Sequence, residues 1–285
     1  MGPAGGWTPS EHELGRREVR RRQRRRSLLV STGTTVVVLG LLLLGLLTAP
    51  GWPRVQALFF SWEDARESFP AILDGIWLNI RLFVLCQLAI LPLALLIAVS
   101  RGTRSPWLAP VRVVAVAYTD VVRGIPTILL VVLLGFGVPA LQLEGLTNDR
   151  TFWAGVALVI SYSAYVAEVF RAGIDSVHPS QVASAQALGL GHVRTLRHVV
   201  VPQAVRRVVP PLLNDFVSLQ KDTALVSAVG VFDAVYTARD YGAYNFNYTP
   251  LVVVAAFFVA MTVPLARLTD WLQRRLVERE RAGAR

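Results

Sequence analysis

The chain has 285 residues, is 53% hydrophobic and only 17% charged, and has a mean hydropathy of +0.48; a soluble domain carries ~25% charged residues, so the composition points to the membrane. Its 29 basic against 19 acidic residues give a net charge of +10, and Lys221, between Gln220 and Asp222, is its only lysine. That excludes a Gly-Lys-Ser/Thr phosphate-binding loop, so any ATP the function uses is hydrolysed by another chain, while a single cysteine, Cys86, excludes a disulfide framework or a multi-cysteine zinc site.

Residues 1–26 form a basic tail with eight arginines between positions 16 and 26. The uncharged run 27–48 follows and is long enough for an additional N-terminal membrane helix, which needs ~20 apolar residues. It exceeds the ~7–15-residue apolar core of a signal peptide, and Leu47-Thr48-Ala49 before Pro50 is a poor cleavage site, so it is expected to remain as an anchor. Further runs are 72–100, with Asp74 and Arg81 near its start, and 111–141, apolar mainly after Pro126. Next come 152–169, then 208–231, the most polar, and 248–268. Residues 273–285 are a second basic tail. Backbone groups in lipid must satisfy one another within the segment, so the expected fold is all-α: a polytopic helical bundle of about six transmembrane helices, without a soluble domain or internal repeat.

Arginine placement orients these runs. The first tail, the loop with Arg101, Arg104 and Arg112, the segment from Arg171 to Arg207 and the second tail fall on the cytoplasmic side. The loops with Glu63, Asp64 and Glu67, with Glu144 and Asp149, and with Asp233 and Asp240 fall outside. Both termini are therefore expected in the cytoplasm. The first tail adjoins a membrane helix directly, so it is read as setting topology and touching anionic lipid rather than as a nucleic-acid arm.

The stretch 173–211 is longer than a turn between membrane helices. Pro179 can open a helix, 181–188 is rich in alanine, and Gly189 and Gly191 allow a sharp turn. A second helical stretch, 193–201, places Arg194, Arg197 and His198 on one face, with Pro202 expected to end it. Helix, glycine turn and helix make a docking knob.

These residues resemble the cytoplasmic loop of ABC importer permeases, E-A-A, three residues, G, nine residues, I-x-L-P. Ala183-Ser184-Ala185, Gly189 and Val199-Val200-Val201-Pro202 keep that spacing. Three further stretches resemble the polar amino-acid branch of the family: Arg123-Gly124-Ile125-Pro126, the run from Ala164 to Ile174, and Lys221-Asp222-Thr223-Ala224-Leu225. The resemblance implies a type I ABC importer transmembrane domain of the MetI-like fold over 72–272, with a coupling loop at 173–205. It implies an ABC ATPase dimer that binds ATP and Mg, a second permease subunit, identical or homologous, and an extracytoplasmic solute-binding protein. It further implies a prokaryotic cytoplasmic membrane and a polar amino acid or small amine-bearing solute. Gln181, Ala183, Ser184, Ala185, Gly189, Leu190, Gly191 and Pro202 would then couple to the ATPase. The family's loop acid is Ala183 here, so Gln181 or Ser184 would supply the contact in its place.

Ionisable residues within spans are costly and usually face the bundle interior. Ser161, Tyr165 and Glu168 form one helical stripe, with Arg171 in reach of Glu168; Asn214, Ser218 and Lys221 form another, beside Asp215 and Asp222. An amino acid is a zwitterion, so Arg81 or Lys221 could receive its carboxylate and Glu168 or Asp222 its ammonium; alternatively these groups pair with one another and hold helices together. A secondary transporter would show paired discontinuous helices in two halves, which this sequence lacks, and the polar stripes argue against a passive membrane scaffold.

Overall fold

The computed structural model describes residues 10–103 and 105–283; among them the chain is helical, without strands. It divides into two compact units, Met1–Ala57 and Leu58–Arg285.

The first unit is dominated by α1 (Glu11–Leu47), one unbroken helix of 37 residues. Ser10 caps it, its hydroxyl accepting the Glu13 N–H. Leu28 to Leu47 show their apolar side chains on every face, as in a helix whose solvent is lipid. α2 (Trp52–Phe59) closes this unit and leads into the second.

The second unit starts with α3 (Trp62–Gly102), capped by Ser61 and carrying Glu63 and Asp64 in its first turn and Arg101 in its last, all favourable for the helix dipole. A short 3-10 turn leads to α4 (Ala109–Gly124) and α5 (Thr127–Ala140). The run 111–141 was expected as one span. Instead it bends by 101° between these helices, because Pro126 forces Ile125 out of the helical region to φ −101° and ψ 128°.

α6 (Arg150–Asp175) is the centre of the bundle and packs on α3, α4 and α5. Ala154, Ala157, Ser161, Ala164 and Ala167 are fully buried along it, and such small residues let helix backbones approach closely without help from water. α7 (Pro179–Ala187) and α8 (His192–Thr195) follow, then a π turn (Leu196–Val200) and α9 (Val201–Asp222), which also packs on α6. Pro202 therefore does not end the helical stretch. It lies in the first turn of α9, where a missing N–H costs little. The π turn ahead of it widens the helix, so that the Val201 N–H reaches Leu196 O. A 3-10 segment (Thr223–Val229) ends at Gly230 with φ +77°, and α10 (Ala234–Asn245) and α11 (Thr249–Gly283) complete the chain.

Among the described residues, four helical stretches are long and apolar enough to cross a membrane: Gly15–Leu47, Trp52–Gly102, Arg150–Asp175 and Thr249–Arg275; the bent α4–α5 pair would make a fifth. α9, in the polar run expected as a span, is not among them, and the helix stops at Asp222 rather than Val231.

Candidate coupling loop and membrane pathway

The loop between α6 and α9 folds as a hydrogen-bonded helical corner. His178 caps α7, its ring accepting the Ser180 N–H at 3.2 Å, and Pro179 occupies the first turn. At the far end the Leu190 N–H bonds Ala185 O at 3.1 Å and the Gly189 N–H bonds Gln186 O at 2.9 Å. This paired closure requires a left-handed residue, which Gly189 supplies at φ +82°. Thr195 then fixes the next helix, its hydroxyl donating to Leu190 O at 3.2 Å. Ala185 is buried and holds the corner together; Gln181, Ala183, Ser184, Gly189 and Gly191 are exposed, and Leu190 is half-buried. Beside them Leu188 is 84% and Val193 75% exposed. Sequence reasoning treated those two only as boundaries, although apolar residues flanking a glycine turn were the signal available.

At one end of α6, Glu168 gathers three arginines from three helices. Arg101 Nη1 donates to it at 2.6 Å, Arg171 Nε lies at 3.4 Å and Arg123 Nη1 at 3.7 Å. The Arg101 side chain is 9% exposed and its Nε has no partner among the described residues. Tyr165, on the same stripe, donates its hydroxyl to Arg123 O at 3.3 Å and lies under the Arg123 guanidinium. Glu168 is thus an anchor for α3, α4 and α6, and its carboxylate is already engaged.

Midway along α6 the chemistry differs. Tyr162 donates to Asp222 Oδ2 at 2.7 Å, and Ser161 shares a 2.8 Å hydrogen bond with Thr127. Asp215, two turns before Asp222 on α9, has a buried Oδ2 without a partner among the described residues. Asn214 and Lys221 are exposed and Ser218 is half-buried; among the described residues no ion pair joins Lys221 to Asp222 or Glu168. Arg81 lies apart from this group, exposed in a groove between α3 and α10 that Asp74, Asp240 and Tyr244 also line.

A buried polar node that sequence reasoning did not assemble joins α3 to the start of α10. Asn79 donates to Asp233 Oδ2 at 3.1 Å and accepts the Ala234 N–H at 3.2 Å. Asp233 is fully buried and caps α10 through the Tyr236 N–H at 2.8 Å. Burial raises its carboxyl pKa, while the bonds from Tyr236 and Asn79 pull it back. Gly75 makes the crossing possible, since a Cβ there would strike the backbone of Ala234. The node ties α3 to the start of α10, one 3-10 segment beyond the Lys221-Asp222-Thr223 stretch.

Residues 90–278 match the family described as binding-protein-dependent transport system inner membrane component. The arginine transport system permease protein ArtQ of Bacillus subtilis (strain 168) is 30% identical over 73% of this chain and 93% of its own length. The glutamine transport system permease protein GlnP of Escherichia coli (strain K12) is 30% identical over 76% and 98%. Among solved structures, an amino acid ABC transporter crystallised with histidines aligns with a TM-score of 0.68 at 28% identity, covering 76% of this chain and 100% of that one. The inward-facing MetNI methionine ABC transporter, at 18% identity and a TM-score of 0.59, shares the fold. With two thirds of its length inside the family match and its bundle superposing on a solved relative, the chain belongs to the inner membrane components of binding-protein-dependent transport systems, as an amino-acid ABC transporter permease.

Proposed function

We propose that the chain is a membrane-pathway subunit of an ATP-driven importer for a polar amino acid or a related small amine-bearing solute. It lies in the cytoplasmic membrane with both termini inside. A separate ATPase dimer, holding ATP and Mg, docks on the loop 173–205; a second permease subunit completes the pathway, and an extracytoplasmic binding protein delivers the solute. The chain itself contributes no catalytic residue or cofactor.

The observation that carries this function is the α7–α8 corner. Its glycine closure makes it rigid, and Leu188 and Val193 stand out from it into solvent. Two large apolar side chains on the tip of a stiff projection favour protein contact. A rigid corner continuous with α9 through the π turn would also transmit movement of the docked ATPase into the bundle. Transport by rocking requires that the two states differ in such contacts.

For the solute, Lys221, or Arg81 in its separate groove, suits a carboxylate, neither having an ion-pair partner among the described residues, and Asp222 suits an ammonium, with Asn214 and Ser218 as neutral hydrogen-bonding residues of α9. Glu168 and Tyr165 instead hold the end of the pathway. The transport names of the relatives, arginine and glutamine, agree with a polar amino acid.

Purification of the tagged complex from membranes tests the docking. The ATPase should co-purify with the wild-type chain, and Leu188→Ser with Val193→Ser should lower its recovery about tenfold or more, as loss of two anchors does at an interface. Undiminished uptake by proteoliposomes from which the ATPase is omitted would overturn the function and favour an ATP-independent transporter.

A further inference from the structure

The family match begins at residue 90, so α1 lies outside it. Its charge is arranged in a way that topology alone does not require. The uncharged part, 27–48, has 22 residues and spans about 33 Å at the helical rise, close to the thickness of a bilayer's hydrocarbon core. Directly before it stand Arg20, Arg21, Arg22, Gln23, Arg24, Arg25 and Arg26. The helix is unbroken through both parts.

At 3.6 residues per turn these six arginines cover about two thirds of the rod's circumference, and the polar Gln23 occupies the remaining side. A helix that lies flat on a membrane needs one apolar face, and this segment has none, so it stands on the span as a ring. Seven residues rise about 10 Å, which keeps the whole ring at headgroup depth and within about one Debye length of the surface. The two outer arginines differ: Arg16 and Arg17 are paired with Glu13 at 3.3 Å each. None of the six inner arginines has a carboxylate partner among the described residues. Among the described residues their positive charge has no counter-charge, and each guanidinium offers the planar fork that fits a phosphate.

We propose that Arg20 to Arg26 form a binding collar for the phosphates of anionic phospholipids in the leaflet next to them. Continuity with the span fixes the ring at the depth of those phosphates, and six arginine charges without a partner among the described residues complement them. The collar would gather anionic lipid around α1 whatever solute the permease carries.

The test is lipid retention by the full-length complex in nanodiscs of mixed phosphatidylglycerol and phosphatidylcholine, followed by stripping of bulk lipid and mass-spectrometric counting of what remains. Phosphatidylglycerol should be enriched severalfold over its bulk fraction at about 0.05 M salt and fall to the bulk fraction at about 0.5 M, where screening shortens the Debye length to a few ångströms. Replacing all six arginines by glutamine should abolish the enrichment; replacing them by lysine, which keeps the charge that orients the helix, should retain most of it. Retained lipid at the bulk ratio in the wild type at low salt would overturn the proposal. So would enrichment that survives both the glutamine substitutions and high salt, or binding of a short RNA by the wild-type complex that phosphatidylglycerol vesicles do not compete away.

Discussion

Glu168 shows how one carboxylate can organise one end of a bundle. It meets Arg101 from α3, Arg123 from α4 and Arg171 from its own helix. The three contacts are unequal. Arg171 and Arg123 are 44% and 39% exposed, and pairs so open to solvent add little. Arg101 is 9% exposed, so its charge depends on this partner. Glu168→Gln would leave that guanidinium buried without a counter-charge, which costs about 3–5 kcal/mol in a dry site. Glu168 is itself 26% exposed, and solvent screening brings the expected loss to about 2 kcal/mol. Thermal unfolding in detergent should then fall by about 4–8 °C. The double variant Arg101→Met with Glu168→Met should recover much of the loss, because an apolar pair of similar volume removes the desolvation cost. An unchanged midpoint in Glu168→Gln would show that the cluster is not holding the helices.

The packing of α6 against α9 sets the angle at which the loop between them leaves the bundle. Gly173 is the tightest point of that contact: a Cβ there would collide with the Val208 side chain and lie 3.2 Å from Ala204 O. Gly173→Ala should therefore destabilise by about 1–3 kcal/mol through overpacking, and Val208→Ala in the same chain should restore most of it. Unfolding midpoints of the two variants alone and combined would check this, and additive losses would sink it. Much of this level was legible in the sequence. The apolar runs marked α1, α3, α6 and α11, because lipid demands uniform apolarity over a whole span. Pro179 and Gly189 marked the loop corner, because one opens a helix and the other closes it in the left-handed region. Pro126 and Pro202 look alike in sequence and act in opposite ways. The first follows a residue forced into extended conformation and breaks the span; the second is absorbed by a π turn whose i→i−5 bonding no local pattern announces. Partners at long separation were equally hidden: Glu168 was read against Arg171, three residues away, and finds its closest ligand 67 residues away in Arg101. The Asn79–Asp233 bond spans 154 residues and needed the α3–α10 crossing to exist before either residue could be called buried.

At the scale of the whole chain, the core needed for folding lies in the second unit. Its main cluster runs from Leu82 to Val231 and draws on α3, α4, α5, α6 and α9, and a second joins α3, α10 and α11 around Ile72, Ile76, Ala234, Ala238 and Val254. The start of α3 has its own ties: Tyr241 donates to Asp64 at 3.0 Å and Glu67 at 2.8 Å, Asn247 donates to Asp64 at 2.8 Å, and the Ser61 N–H reaches the Thr249 hydroxyl at 3.0 Å. All of these lie at or after Leu58, where the second unit begins. The GlnP relative, covered over 98% of its length by 76% of this chain, leaves about a quarter of the chain without a counterpart. Removing residues 1–57 should therefore leave a chain that still inserts, resists protease at its core and supports ATP-dependent uptake when assembled with its partners. What it should lose is the part of the anionic-lipid enrichment that Arg20 to Arg26 supply. The two readouts separate the roles of the units: full uptake with that enrichment lost is the expected result. Loss of the folded core on truncation would instead make α1 part of the minimal permease, and the independence of Leu58–Arg285 would be wrong.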